Sequence, residues 1–241
     1  MKFDIARQPL VPAFMTLFAL AVAAMCAGIP VPDTETSGAV REALPLLGGQ
    51  LARFQAAYPV WSKFAAGFML LFAGMCTGRI SIRYNLYTVG TCLPIPLYAI
   101  VACGIATGGN YLAGFAASML LALATKNYCR AFCNGYGFDA IFRASLYLGL
   151  MPLIYAPALP LLLLLPLAVL LFRRTFREVV VATAGLLLPI FTACYVSWGS
   201  GAEFTAPLVT VGQSAIEGMP LQLFLDTVSY THLTLPTKSR V

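Results

Sequence analysis

Two carboxylates of this 241-residue chain have a setting in which they could do chemistry. Asp139 lies one helical turn before Arg143, and a loop there could present the carboxylate, through a cation, to a phosphate-bearing substrate. The same spacing is typical of an ordinary helix start, where an acid offsets the helix dipole and pairs with a base. Glu203 follows the turn at residues 198–201 and is the second candidate. Neither belongs to a catalytic motif, so the sequence assigns no catalytic residue beyond these two candidates.

Basic residues form clusters between apolar runs. Such clusters either bind anionic headgroups of lipid or of a polyprenyl phosphate, or only orient the chain in the bilayer. Because they flank apolar runs, we do not expect nucleic-acid binding. The residues of this set are Arg79, Arg83, Arg130, Arg143, Arg173, Arg174 and Arg177.

The cysteine pattern favours buried side chains over a metal site. The seven cysteines lie in or beside apolar runs, as small hydrophobic side chains do. Cys129 and Cys133 are one helical turn apart, but the sequence places no histidine or third cysteine near them, and structural zinc takes four ligands. Motifs for phosphate loops, Ser/His pairs or zinc helices are also missing. We therefore predict neither a metal nor a cofactor.

Composition indicates a multi-pass membrane protein. Hydrophobic residues make up 60% of the chain and charged residues 10%, and the formal net charge is +6. The mean hydropathy is +0.83. An ordinary soluble domain carries roughly 25% charged residues, so a soluble globule, a disordered chain and a coiled coil are excluded. We predict an all-α polytopic protein of the inner (plasma) membrane, with the lipid bilayer, anionic lipid at its cytoplasmic rim and other membrane proteins as partners.

The uncharged runs predict about seven transmembrane helices, because a helical span needs about 20 apolar residues. The first run also fits a secretory signal with Lys2 and Arg7 as its basic region. Residues 51–61 have an amphipathic spacing, which predicts either a surface helix or the first turns of the second span, bent at Pro59. The predicted spans are residues 10–29, 60–77, 86–106, 111–125, two within 144–172, and 179–198.

The stretch 144–172 contains four prolines and 29 uncharged residues. A helix of that length is about 43 Å long, which is too long for one crossing and short for two. Basic clusters flank it on both sides, and Lys- and Arg-rich loops stay in the cytoplasm. We therefore predict a short hairpin, full or re-entrant, that turns near Ala156 and Pro157.

Charge also predicts the sidedness. With the N-terminus inside and the C-terminal part outside, ten basic residues and three acids face the cytoplasm. They are Lys2, Arg7, Arg79, Arg83, Lys126, Arg130, Arg143, Arg173, Arg174 and Arg177, against Asp4, Asp139 and Glu178.

Three segments follow from this topology. Residues 1–203 form the transmembrane domain, and residues 204–227 are an outside loop or the start of a truncated segment. Residues 228–241 resemble translated sequencing-adapter DNA and are expected to be non-native, so His232 carries no argument. A short native polar tail is the alternative.

Several short motifs carry a family resemblance. They are Phe-Asp-Ala-Ile-Phe at 138–142, the basic segment 172–178, Leu-Pro-Ile at 188–190 and the aromatic Tyr195. With these motifs the chain resembles a bacterial domain-of-unknown-function family of multi-pass inner-membrane proteins. The resemblance implies the topology and brings no catalytic residue with it.

Two classes of function agree with the sequence. The first is a non-enzymatic scaffold or partner subunit of an envelope assembly. The second is an enzyme or carrier that handles lipid-linked glycan or polyprenyl-phosphate substrates. A lipid-facing groove beside the proline-rich hairpin, with Asp139 or Glu203 in it, would favour the second class.

Overall fold

The computed structural model describes residues 10–26, 46–84, 92–106, 110–133, 137–163 and 176–218. In these ranges the chain is helical and has no strand, which confirms the all-α prediction. The helices are α1 (Leu10–Cys26), α2 (Leu46–Ala57), α3 (Pro59–Arg83), α4 (Pro94–Ala106), α5 (Tyr111–Cys133), α6 (Phe138–Ile154), a 3-10 helix (Ala156–Leu163), α7 (Phe176–Gly199) and α8 (Ala206–Gly218).

Two of these helices are long and apolar enough to cross a membrane. The most apolar 18-residue window has a mean hydropathy of 1.5 in α3 and 2.2 in α7. By length and composition they support membrane association. The count of seven spans goes beyond this finding and stays a prediction.

The chain bends at Pro59, where the sequence left two interpretations open. Tyr58 lies between α2 and α3 with φ −132° and ψ 71°, because the residue before a proline avoids the helical region. Pro59 then occupies the first turn of α3, where its missing N–H removes no helical hydrogen bond. Elements of both interpretations are present: α2 is a separate short helix, and it enters α3 through a bend.

The proline-rich stretch changes helix type near the predicted turn. α6 ends at Ile154, and the 3-10 helix begins at Ala156. Tyr155 between them is extended, and its N–H donates to the Met151 carbonyl at 2.8 Å. Residues 164–175 lie outside the described part of the chain, so the choice between a full and a re-entrant hairpin stays open.

Contacts at glycines show that α1 and α3 are antiparallel. Gly67 of α3 faces Met25, near the end of α1, whereas Gly74 faces Leu17, near its middle. The start of α1 therefore lies beside the end of α3. Gly78 of α3 faces Ile95, so α4 also starts beside the end of α3.

α3 and α5 run parallel. The Ser62 hydroxyl donates to the Pro59 carbonyl at 2.8 Å, so the Tyr111 hydroxyl is the donor in the buried hydrogen bond that joins Ser62 to the first residue of α5. Farther along, Ala73 of α3 packs in one cluster with Ala122 of α5. The ends of α3 and α5 consequently lie at the same end of the bundle.

α6 and α7 start at that same end. Gly137, which precedes α6, lies against Ala131 near the end of α5. In α7, Gly185 lies against Phe142 and Leu186 lies against Gly149, so α7 runs parallel to α6. We call this the basic end, since its cations outnumber its carboxylates. Its described charged residues are Arg79, Arg83, Lys126, Arg130, Arg143 and Arg177, with Asp139 and Glu178.

The opposite end carries α2 and α8. The Gln55 side-chain oxygen of α2 accepts a hydrogen bond from the Leu112 N–H at 3.3 Å, at the start of α5. α8 packs against the 3-10 helix and α7. The sequence predicted a loop or the start of a segment in residues 204–227, and α8 is a helix that the prediction did not contain.

Candidate functional site at the basic end

Asp139 lies in the first turn of α6 and forms an ion pair within its own helix. Its Oδ1 accepts a hydrogen bond from Arg143 Nε at 3.0 Å. The side chains of Asp139 and Arg143 are 69% and 57% exposed. This is the arrangement of an acid at a helix start with an i, i+4 partner.

Glu203 lies at the other end of the molecule. It is exposed in the turn after α7, where its backbone carbonyl accepts a hydrogen bond from the Ala206 N–H at 3.1 Å. α7, with its 24 residues, is about 36 Å long, and its length separates this turn from Asp139. The two candidate carboxylates therefore cannot act on one substrate atom.

A groove with a volume of about 720 Å³ opens between α1 and α3. Pockets of about 300–1,000 Å³ are the usual size for small ligands. Apolar side chains from both helices form most of its wall: Val11, Phe14, Met15, Phe72, Met75 and Ile82.

Three cations border this groove. Arg79 and Arg83 come from the last two turns of α3, and Lys126 comes from α5. The parallel packing of α3 and α5 brings Lys126 to them, although it is far from both in the sequence. No carboxylate stands among the described residues that line the groove.

Two of the three cations that border the groove were identified from the sequence. Arg79 and Arg83 were predicted as headgroup or orientation residues, whereas Lys126 entered only the count of cytoplasmic charges. Lys126 comes directly after the apolar run of α5, which ends at Thr125. That position places its ammonium group at the edge of the bundle. The groove brings Lys126 together with the two arginines only because α3 packs on α5.

The other predicted basic residues lie outside the groove. Arg130, Arg143 and Arg177 are exposed at the basic end, whereas Arg173 and Arg174 lie outside the described residues. Among the residues that the structure describes, no group of three His, Cys, Asp or Glu side chains is placed to hold a metal ion.

Glu178 is a buried carboxylate that the sequence interpretation missed. It lies in the first turn of α7 and is only 2% exposed. The sequence treated it as one charge of a cytoplasmic loop. Its spacing with Ala182, Gly185 and Pro189 follows one helical face, and these three residues are also buried. This stripe was the available signal that Glu178 faces the bundle.

An aromatic surface lies at the opposite end. Phe54, Tyr58, Trp61, Phe64 and Phe68 line a shallow cavity of about 540 Å³ along α2 and α3. Trp61 is 68% exposed. Exposed Trp and Tyr side chains are typical of the headgroup layer of a bilayer.

Comparison of the chain with known protein families, curated proteins and solved structures finds no match. The family resemblance of the sequence therefore stays a prediction.

Proposed function

We propose that the protein is a polytopic protein of the bacterial inner membrane with about seven spans. Its basic end faces the cytoplasm, and it acts as a non-enzymatic scaffold or partner subunit of an envelope assembly. The packing of the described helices supports the sidedness, because Arg79, Lys126 and Arg143 come from different helices and lie at one end. Cytoplasmic loops are enriched in such residues.

The observation that carries the scaffold proposal is the outer face of α7. Large side chains recur on it at helical spacing and are between 47% and 66% exposed. In the bilayer such a stripe offers an apolar and aromatic surface to a helix of another subunit. The residues of this α7 stripe are Val180, Leu187, Phe191, Tyr195 and Trp198.

A second candidate is an enzyme or carrier for lipid-linked glycan or polyprenyl-phosphate substrates. The groove beside Arg79, Arg83 and Lys126 favours it, because apolar walls and cations together suit a phosphate with a hydrocarbon tail. The groove lies between α1 and α3, and none of the described hairpin residues 144–163 line it. Since Asp139 and Glu203 do not line it, the groove supports binding more than a reaction at these carboxylates.

Light scattering of the protein extracted from its own membrane in a mild detergent tests the scaffold. One chain has a mass of 25.8 kDa, and we expect a protein mass well above this value. The triple variant Phe191→Ala, Tyr195→Ala and Trp198→Ala should reduce the mass to that of one chain.

The matched control is the triple variant Trp61→Ala, Phe64→Ala and Phe68→Ala, which removes equally exposed aromatic groups from α3. We expect this control to retain the assembly. The double variant Asp139→Asn and Glu203→Gln should retain it as well. A single-chain mass for the unmodified protein, or equal losses in both triple variants, would contradict the proposal.

A further inference from the structure

The arginines of the groove between α1 and α3 lie toward one end of it, with Ile82 between them. Arg83 and Arg79 border it toward the end of α3, and Met75 and Phe72 line it deeper in the bundle. At 1.5 Å per residue, the charged part from residue 79 to 83 spans about 6 Å, and the apolar part from 72 to 78 spans about 9 Å.

The charged part is as long as one headgroup layer, and the apolar part covers a little more than half of the hydrocarbon depth of one leaflet. Each headgroup layer of a bilayer is about 5–7 Å thick, and half of the hydrocarbon core is about 15 Å thick. A lipid in the groove would therefore place its phosphate beside Arg79 and Arg83. Its hydrocarbon chains would lie against Met75 and Phe72 and would extend into the bilayer.

Charge complementarity identifies the headgroup. Three cations from two helices converge on the charged part, and the described lining residues include no carboxylate. A phosphate that carries a net negative charge can accept several hydrogen bonds from such donors. A zwitterionic headgroup would bring its own ammonium group toward Arg79, Arg83 and Lys126, which disfavours it.

From this geometry we infer that the groove is a binding site for one anionic phospholipid of the leaflet at the basic end. Arg79, Arg83 and Lys126 bind its phosphate, and the apolar walls hold the upper part of its acyl chains. The inference rests on the membrane placement in the proposed function and goes beyond the scaffold role. It requires no partner subunit, so it can fail or hold independently of the assembly mass.

The test is native mass spectrometry of the full chain in detergent, titrated with dioleoylphosphatidylglycerol or with dioleoylphosphatidylcholine. We expect one phosphatidylglycerol to bind, with an affinity at least about tenfold above that for phosphatidylcholine. The triple variant Arg79→Gln, Arg83→Gln and Lys126→Gln should lose at least about tenfold in phosphatidylglycerol affinity.

The matched control is the triple variant Arg130→Gln, Arg143→Gln and Arg177→Gln. It removes three cations from the same end but outside the groove, and it should change the affinity by less than about twofold. If the first triple variant does not fold, the single variant Arg83→Gln is used, because Arg83 is exposed at the end of α3. It should weaken binding by about threefold or more.

Two further measurements separate a lipid from free phosphate. Met75→Trp fills the apolar part and leaves the three cations in place, so it should weaken phosphatidylglycerol binding. Inorganic phosphate should not displace the bound lipid. The inference is overturned if both triple variants lose affinity equally, if both lipids bind equally, if Met75→Trp has no effect, or if inorganic phosphate displaces the lipid.

Discussion

The α6–α7 contact and the α1–α3 contact both place glycines between helices, but the atoms that face these glycines differ. Between α6 and α7 the neighbour is backbone. A Cβ at Gly149 would collide with the Leu186 carbonyl oxygen, and a Cβ at Gly185 would lie 2.8 Å from the Phe142 carbonyl oxygen. Backbone atoms can move away only if a whole helix shifts.

Between α1 and α3 the neighbours are side chains. Gly67 faces the flexible Met25, and Gly74 faces the tip of Leu17. The Met25 side chain is flexible and only partly buried, so the contact at Gly67 tolerates change. Leu17, at Gly74, is fully buried. The α1–α3 region is also the one that leaves a groove open, with Met15 and Met75 among its walls.

The difference indicates that the two helix pairs differ in how rigidly they are packed. The α6–α7 pair is a close-packed unit, and its outer face carries the α7 stripe. The α1–α3 pair has adaptable packing and borders the groove with its cations. A rigid contact suits the positioning of a subunit surface, whereas adaptable walls suit a flexible hydrocarbon chain.

The largest effect is expected from charge reversal at Glu178 in the rigid region. Glu178→Lys places an ammonium group at a buried site beside the positive end of the α7 dipole. We expect a loss of about 3–5 kcal/mol in the free energy of unfolding, measured by SDS titration in mixed micelles. The matched reversal Glu203→Lys, at an exposed site, should cost less than about 0.5 kcal/mol. Equal losses in the two variants would contradict the burial of Glu178.

A smaller loss is expected when the α6–α7 glycine contact is filled. Gly149→Ala forces the Leu186 carbonyl away and should lower the free energy of unfolding by about 1–3 kcal/mol. Gly212→Ala in α8 is the control, because no atom lies within 4 Å of its added Cβ. That change should stabilise the protein by up to about 1 kcal/mol. A neutral Gly149→Ala would contradict the rigid contact.

The smallest effect is expected in the adaptable region. Gly67→Ala displaces only the Met25 side chain, and the better helix propensity of alanine offsets part of that cost. The free energy of unfolding should change by less than about 1 kcal/mol in the same titration. A loss as large as that of Gly149→Ala would show that the two contacts do not differ.

Sequence patterns predicted the helices well where charge and proline mark their ends. The bend at Pro59 was one of two interpretations of the sequence, and the change of helix type after Ile154 lies where the sequence predicted a turn. α8 was not expected, because Phe204 to Ile216 is too short and too polar for a span. Helix formation there depends on packing against the 3-10 helix and α7.

The candidate site was harder to predict from the sequence than the helices were. The pairing of Asp139 with Arg143 follows from local spacing. The approach of Lys126 to Arg79 depends on the parallel packing of α3 and α5, which no local pattern encodes. The burial of Glu178 had a signal in its helical stripe, but the adjacent arginines made the segment resemble a loop.

The central claim is that the basic end faces the cytoplasm and the turn after α7 faces outside. Single cysteines at Arg143 and at Glu203, introduced into a chain without native cysteines, test this claim through labelling with a membrane-impermeant maleimide in spheroplasts. We predict that Glu203→Cys is labelled in intact spheroplasts, whereas Arg143→Cys is labelled only after lysis. Labelling of both sites in intact spheroplasts, or the reverse order, would contradict the account.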